Sequence, residues 1–326
     1  MHAPSIRKIQ SLSPRCGVAA AVRMSVYLLL LVLAGPPAGA ASDPIMAHGS
    51  EPEGRRIDIG GHSLDIACLG QGRPVVILDH GLGGSSRDWR YVQRALASTT
   101  RVCTYERAGY GRSDPAPGPR TSMRIASELR TLVFRAKLPP PYLLAGHSFG
   151  GFNVRAFASL FPDETAGIVL VDSPHEEQAD RFFQSEITRR IDPHGSLQAL
   201  WDSALLGSLS GIDLQPFARL LGNRSNSMQG LLGEIAGFVE SSRELRAARY
   251  REEIPVVVIA HGRHLLPGGA LSEQLEDQWL SLQQDLASRF KHHRFIVAER
   301  SGHNIPLEQP DLVVGAIERL IRERHP

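Results

Sequence analysis

Residues 142–152 constrain the fold more than any other stretch of the chain. They read Y-L-L-A-G-H-S-F-G-G-F, an apolar run followed by the pattern G-x-S-x-G around Ser148. Apolar residues at helical spacing follow: Phe152, Val154, Ala156, Phe157 and Leu160. This order predicts a strand, a sharp turn and a helix, with the Ser148 hydroxyl projecting from the end of a parallel sheet. Gly146 and Gly150 fit such a turn, because side chains there would collide with the neighbouring strand and helix. A plain Ser-Gly turn is the simpler alternative.

The rest of the chain alternates short apolar runs with amphipathic helices. The predicted strands are 55–59, 63–68, 74–79, 101–105, 142–145, 167–171, 254–260 and 295–298, and the predicted helices include 88–96, 121–135, 271–290 and a last one from Pro310. This alternation predicts an α/β fold with a mostly parallel, twisted sheet and helices on both faces. The first two strands flank Gly60-Gly61 as a hairpin, so we expect antiparallel pairing at one edge.

Residues 173–252 break this alternation. They read as several helices separated by Gly, Ser and Pro, without a strand. We therefore expect a core of residues 55–172 and 253–326, and a helical cap inserted between strands six and seven. The cap would lie at the C-terminal edge of the strands, where open α/β sheets bind ligands. Its apolar residues indicate a hydrophobic substrate site, although core packing explains them equally well: Phe182, Phe183, Leu205, Leu206, Phe217 and Phe238.

The first 40 residues read as a signal peptide. Basic residues precede the apolar run Met24–Leu33, and Ala38-Gly39-Ala40 fits the small-residue rule for cleavage before Ala41. The apolar run is shorter than the roughly 20 residues that a spanning helix needs. We therefore expect export to the periplasm or the medium without stable membrane insertion, and a polar linker over residues 41–54. Translation could begin at Met1 or at Met24.

The charge balance argues against a nucleic-acid partner. The chain has 36 basic and 34 acidic residues, and residues 1–40 contain four of the basic and none of the acidic ones. The remainder therefore has 32 basic against 34 acidic residues. A nearly neutral chain of this kind lacks the excess of positive charge that nucleic-acid binding needs.

Two cysteines, Cys68 and Cys103, follow the leader. Two free thiols buried as small apolar groups are one interpretation. An even count in an oxidising compartment favours the other, a disulfide between them.

The sequence supplies candidates for the groups that a serine nucleophile needs. His303 follows the last predicted strand in the small-residue loop S-G-H and fits the general base. The run H-G-L-G-G at 80–84 ends the strand before the serine turn. The backbone N–H groups of Leu82 and Phe149 fit the donors that an oxyanion requires. A satisfied loop histidine and a plain glycine turn are the simpler alternatives.

The acid that would orient His303 is harder to assign. The stretch after the predicted strand 254–260 contains no carboxylate, and the next ones lie on a helix. Asp172, at the end of V-L-V-D, lies one strand earlier, and a triad is defined by its geometry and not by its order in the chain. Asp172 is therefore our candidate, with Glu273 or Asp277 as the alternatives. A helix cap is the competing role for Asp172.

Other motifs predict no cofactor and no metal. His261 and His264 lack ligand partners at a useful spacing for zinc. The G-x-G fragments at 70–72 and 109–111 lack the further glycine and the acid of a dinucleotide site. Arg107 is interpreted as bracing its own glycine-rich turn.

Taken together, the motifs resemble the α/β-hydrolase superfamily, in its group of capped serine hydrolases and esterases. The resemblance runs from about Arg55 to the C-terminus, with an interruption at the cap. The motifs that support it are H-G-L-G-G, Y-E-R-A-G-Y-G-R-S-D at 105–114, G-H-S-F-G-G at 146–151, V-L-V-D at 169–172 and S-G-H at 301–303.

The resemblance implies a role for each candidate. Ser148 would be the nucleophile, His303 the base, and the amides of Leu82 and Phe149 the oxyanion hole. The family's strand order would also make the strands that carry the two cysteines neighbours, which supports the disulfide. The missing acid after the post-cap strand departs from the family pattern, but related exported hydrolases with these two cysteines share L-V-D at the earlier strand.

We therefore expect an exported hydrolase that cleaves carboxylic esters of small, apolar substrates through an acyl-Ser148 intermediate. No cofactor is required. Peptidase, thioesterase, carbon–carbon hydrolase and perhydrolase activities are alternatives on the same fold. A non-catalytic ligand-binding relative is an alternative of another class, which the intact Ser148 and His303 disfavour.

Overall fold

The structure, a computed structural model, describes residues 52–178, 181, 225–265 and 270–323. Its strands are β1 (Arg55–Asp58), β2 (Ser63–Leu69), β3 (Val75–Asp79), β4 (Val102–Glu106), β5 (Tyr142–His147), β6 (Thr165–Val171), β7 (Val256–His261) and β8 (His293–Ala298). They form one sheet in the order β1-β2-β4-β3-β5-β6-β7-β8. The pairs β1–β2 and β2–β4 are antiparallel, and all the others are parallel. The predicted mostly parallel sheet with an antiparallel edge is confirmed.

Helices connect the parallel strands. They are α1 (Arg90–Leu96, after the 3₁₀ turn Ser86–Trp89), α2 (Ser122–Arg135), α3 (Phe149–Leu160), α4 (Ser225–Ala247), α5 (Ala270–Ser288), α6 (Ile305–Glu308) and α7 (Pro310–Glu323). The apolar stripe of α7 is fully or almost fully buried, as the spacing of Val313, Ile317 and Leu320 indicates.

The sheet has an apolar core on each face. Successive side chains of a strand point to opposite faces, so Val75 and Ile77 of β3 join one cluster while Val76 and Leu78 join the other. The first cluster contains residues of α2, α3, α4 and α5. The second contains residues of α1 and α7. The predicted placement of helices on both faces is therefore confirmed.

Much of the proposed cap lies outside the described residues, as do the leader and most of the linker. Of residues 173–252, the structure describes 173–178, 181 and 225–252. Within these, Phe238 of α4 is buried and its ring lies 5.5 Å from that of Phe149 and 5.2 Å from that of Phe152. Phe238 therefore packs on the core. The other five apolar residues named for the cap lie outside the described ranges.

A search of the described residues for membrane spans found none: every helix there is too short or too polar to cross a bilayer.

The two cysteines lie directly opposite each other on neighbouring strands. Cys68 of β2 pairs in register with Cys103 of β4, and the two form a disulfide. This bond connects the antiparallel edge of the sheet to its parallel part across 35 residues of sequence.

We expect the double replacement Cys68→Ala with Cys103→Ala to lower the free energy of unfolding by about 2–4 kcal/mol, because the bond limits the unfolded chain. Urea unfolding of the chain without residues 1–40 measures this. Thiol labelling of the denatured, unreduced protein is the companion test. Two reactive thiols would contradict the bond.

Candidate active site

Ser148 lies in a strained turn between β5 and α3. Its φ of 50° and ψ of −127° place a non-glycine residue in a sparsely populated region. Its backbone N–H donates to the carbonyl of Val171 on the neighbouring strand (2.9 Å), and its carbonyl accepts from Gly151 N–H (2.7 Å). These bonds hold the turn while the strand changes to helix.

The flanking glycines are needed for steric reasons. A Cβ at Gly146 would lie 2.3 Å from the carbonyl oxygen of Gly150, and a Cβ at Gly150 would lie 2.3 Å from the carbonyl oxygen of Asp79 on β3. Real Cβ atoms do not approach backbone so closely. Glycine at 146 therefore lets β5 turn into α3, and glycine at 150 lets α3 approach β3.

The structure brings His303 and Asp172 into direct contact. The Nδ1 atom of His303 lies 2.6 Å from Oδ2 of Asp172, and both residues are buried. Asp172 directly follows β6 with φ +48°, and its N–H donates to the carbonyl of Ile259 on β7 (2.7 Å). Asp172 adopts this left-handed backbone conformation at the point where the chain leaves β6.

Three further donors hold the Asp172 carboxylate. The backbone N–H of His261 (3.1 Å) and the indole N–H of Trp279 (2.9 Å) donate to Oδ1, and Nδ1 of His261 donates to Oδ2 (2.7 Å). Burial alone would raise the pKa of Asp172, but the charge of His261 and the bonds from His261 and His303 hold it far below its usual value. The carboxylate is thus ionised and fixed in direction.

The surroundings of Asp172 were missed from the sequence. The sequence pattern presents His261 only as a possible metal ligand, and it gives no role to Glu276 on the predicted helix 271–290. In the structure, Nε2 of His261 lies 2.8 Å from Oε2 of Glu276. The spacing of Glu276 and Trp279 on one face of α5 could have indicated that both face the end of β7. The alternatives Glu273 and Asp277 are exposed on the same helix.

His147, the residue before Ser148, positions the loop that carries His303. Its Nε2 donates to the backbone carbonyl of His303 (2.8 Å), and the two rings lie 4.7 Å apart. Burial, with the nearby His303, lowers the pKa of His147 to about 3. A neutral His147 therefore serves as a fixed hydrogen-bond donor.

The loop at 80–84 runs beside Ser148. A Cβ on Gly81 would lie 3.2 Å from Cβ of Ser148, so glycine lets this backbone approach the serine. Leu82 is buried, and Phe149 is the first residue of α3. An N–H at the start of a helix has no acceptor within the helix and is available to an anion. This arrangement fits the two donors expected from the sequence.

Arg107 does more than brace its own turn. The fully buried guanidinium donates to the carbonyls of His80 (2.6 Å) and Gly81 (3.0 Å) and to Oδ1 of Asp79 (2.6 Å). It also forms a two-bond ion pair with Glu234 of α4 (2.5 and 2.8 Å). The position of the loop thus depends on α4.

Asp172, His261 and His303 also form the group of candidate metal ligands found among the described residues, with ligand atoms within 4.8 Å of one another. The Nδ1 atoms of both histidines face the carboxylate at hydrogen-bond distance. Each needs its proton to make that bond, so this geometry fits a hydrogen-bonded network.

Comparisons with known proteins agree with this fold. A family model described as the alpha/beta hydrolase fold matches residues 74–186. An AB hydrolase superfamily protein from Gibberella zeae is 26% identical over 290 residues, which is 77% of this chain and 87% of that protein.

Two solved structures are similar over most of their length. An alpha/beta hydrolase fold protein from Burkholderia ambifaria has a TM-score of 0.58 and 22% identity, covering 83% of this chain and 98% of that one. A thermophilic esterase from Thermogutta terrifontis has a TM-score of 0.56 and 23% identity, covering 84% of this chain and 100% of that one. At these identities the likeness indicates a shared fold.

We expect Glu234→Ala to lower the free energy of unfolding by about 3–5 kcal/mol, because it leaves the buried Arg107 with only one carboxylate. The control is Glu240→Ala, which removes an exposed carboxylate from the same helix and should cost less than about 1 kcal/mol. Urea unfolding compares the two. Equal, small effects would contradict the role given to Glu234.

Proposed function

Because this chain belongs to the α/β-hydrolase superfamily, we propose that it is an exported serine hydrolase that cleaves carboxylic esters through an acyl-serine intermediate. The observation that carries the proposal is the 2.6 Å contact between His303 and Asp172. His147, which precedes the strained Ser148 turn, holds the backbone carbonyl of His303. A buried carboxylate that accepts from Nδ1 leaves Nε2 of His303 as the atom that exchanges protons.

The chemistry follows in two steps. His303 Nε2 takes the proton of Ser148 as Oγ attacks the ester carbonyl, and the oxyanion accepts hydrogen bonds from the Leu82 and Phe149 amides. The imidazolium then gives its proton to the leaving alcohol, and the acyl-serine forms. Water, deprotonated by His303, attacks the acyl carbon and releases the acid and the free serine. Asp172 stays ionised throughout and stabilises the imidazolium.

The substrate we propose is a small, apolar ester, and the reaction needs no cofactor. Phe149 and Phe152 lie on α3 directly after the nucleophile, and Phe238 of α4 packs on both rings. This aromatic cluster, which begins directly after Ser148 in the chain, supports an apolar acyl or alcohol group. A panel of substrates with matched acyl groups compares the rates of ester, peptide, thioester and carbon–carbon bond cleavage.

We expect wild-type protein to react with a fluorophosphonate probe and to hydrolyse a p-nitrophenyl ester series. Ser148→Ala should abolish labelling and lower turnover by about 10⁶-fold. Asp172→Asn, which removes the charge that stabilises the imidazolium, should lower turnover by about 10⁴-fold. His303→Ala should lose turnover as Ser148→Ala does, because the serine then lacks its base.

Ser127→Ala is the matched control, since Ser127 lies exposed on α2. It should label and turn over like wild type. A folded wild-type protein that neither labels nor hydrolyses any ester would favour the ligand-binding alternative. Near-full activity of Asp172→Asn would assign the acid to another residue.

We also propose that the protein acts outside the cytoplasm. Two observations support this proposal. Cys68 and Cys103 form a disulfide, a bond that is rare in reducing compartments. Residues 1–40 have the composition of a leader peptide.

Expression of the full chain in a Gram-negative host tests export. We expect the periplasmic or medium fraction to contain a shortened protein whose N-terminal sequence begins at Ala41. Leu30→Arg, which interrupts the apolar run, should leave the full-length protein inside the cell. An uncleaved wild-type chain in the cytoplasm would contradict the proposal.

A further inference from the structure

Two neighbouring strands share one carboxylate at their C-terminal ends. β6 and β7 are parallel and in register at Val171 and Ile259. Asp172 follows the first of them, and its side chain bends over the end of the second, where it accepts from both the backbone N–H and the ring of His261. A carboxylate that begins on β6 therefore lies at the end of β7.

The ring of His261 has a carboxylate on each side. Its Nδ1 lies 2.7 Å from Oδ2 of Asp172, and its Nε2 lies 2.8 Å from Oε2 of Glu276. A neutral imidazole has one N–H and could satisfy only one of these contacts, whereas the imidazolium donates to both. Glu276 also accepts from the N–H of Leu265, as an ionised carboxylate does, so the geometry favours a charged His261 between two carboxylates.

We propose that Asp172, His261 and Glu276 act as one unit of net charge −1, in which His261 is a positioning residue that aims the Asp172 carboxylate at His303 and Glu276 keeps the unit negative. This inference rests on the proposed serine-hydrolase function. In this proposal, His261 and Glu276, which are not members of the triad, contribute to the basicity of His303.

The charges explain why Glu276 is needed. A charged His261 alone would neutralise Asp172, so an imidazolium formed on His303 during the reaction would face a pair of zero net charge. With Glu276 added, the three groups together have the charge of a single carboxylate. His303 then experiences a net negative unit, while Asp172 gains two donors that fix its direction.

The surroundings of His261 contain few other charges. Among the described residues, the titratable groups in contact with it are Asp172 after β6 and Glu276 on α5, with His303 on the far side of the shared carboxylate. The indole of Trp279 stacks on the imidazole of His261, with the ring centroids 5.8 Å apart. His264, in the loop after β7, interacts electrostatically with Glu276 and lowers the pKa of that carboxyl.

The ionisation of each member agrees with this. Burial would lower the pKa of His261, but the charge of Asp172 and the bonds to Asp172 and Glu276 raise it to about 10. Burial would raise the pKa of Glu276, but bonds from His261 and from the N–H of Leu265 lower it. All three members are therefore ionised at neutral pH.

Glu276→Gln tests the unit, because it keeps an acceptor near His261 and removes the charge. We expect kcat to fall about 10-fold with little change in KM. We also expect the acid limb of the kcat/KM profile to move about one pH unit lower, since a base that loses a nearby negative charge is protonated only at lower pH. Glu276→Asp, which keeps the charge, should restore the position of the acid limb.

The matched control is Asp277→Asn, which removes one charge from an exposed position on the same helix. It should leave kcat, KM and the pH profile unchanged. If Glu276→Gln gives the same profile as Asp277→Asn, or loses only thermal stability, the charge role of Glu276 is refuted.

A second readout needs no turnover. In a Ser148→Ala background, the ring proton resonances of His261 are followed by NMR and assigned by their absence in His261→Gln. We expect His261 not to titrate between pH 5.5 and 8.5. A His261 that titrates near pH 6.5 would overturn the proposal.

These experiments distinguish the proposed hydrolase function from the proposed charged unit. A wild-type protein that neither labels nor hydrolyses esters, but keeps the expected NMR behaviour, would refute the hydrolase function and leave the charged unit standing. Normal catalysis with an uncharged His261 would refute the unit alone.

Discussion

The candidate site depends on the hydrogen bonds that the Asp172 carboxylate accepts. It accepts four hydrogen bonds, from the loop of His303, the end of β7 and α5. A buried charge is tolerated only when its partners are in place, so these elements must pack together around it. The same contacts that make burial of Asp172 possible also give His303 its orientation.

A second buried charge organises the side of Ser148 that faces β3. Arg107 holds two carbonyls of the loop at 80–84 and connects them to Asp79 and Glu234. The serine turn thus lies between two ionic clusters, one that orients the base and one that positions the proposed oxyanion donors. Both belong to the interior of the protein, where charge–charge interactions are weakly screened.

Much of the fold was readable from the sequence, because buried parallel strands are continuous apolar runs and their helices have apolar stripes. The contact of Asp172 with His303 was one candidate, beside Glu273 and Asp277, because Asp172 and the loop of His303 follow strands at the same edge of the sheet. The other hydrogen-bond partners of Asp172 could not be predicted from the sequence. Its direction depends on a left-handed φ of +48° and on His261, which lies 89 residues away. Sequence spacing indicates neither a backbone angle nor the partner of a ring nitrogen.

The ion pair between Arg107 and Glu234 has a consequence for the order of folding. Its two residues are 127 positions apart, so the contact can form only after the chain between them has closed a long loop. Until α4 docks, the guanidinium beneath the 80–84 loop lacks one of its two carboxylates and is not fully compensated. Assembly of the loop and docking of α4 are therefore coupled, and a chain that has formed only its sheet has the Ser148 turn without the ion pair that holds the 80–84 loop.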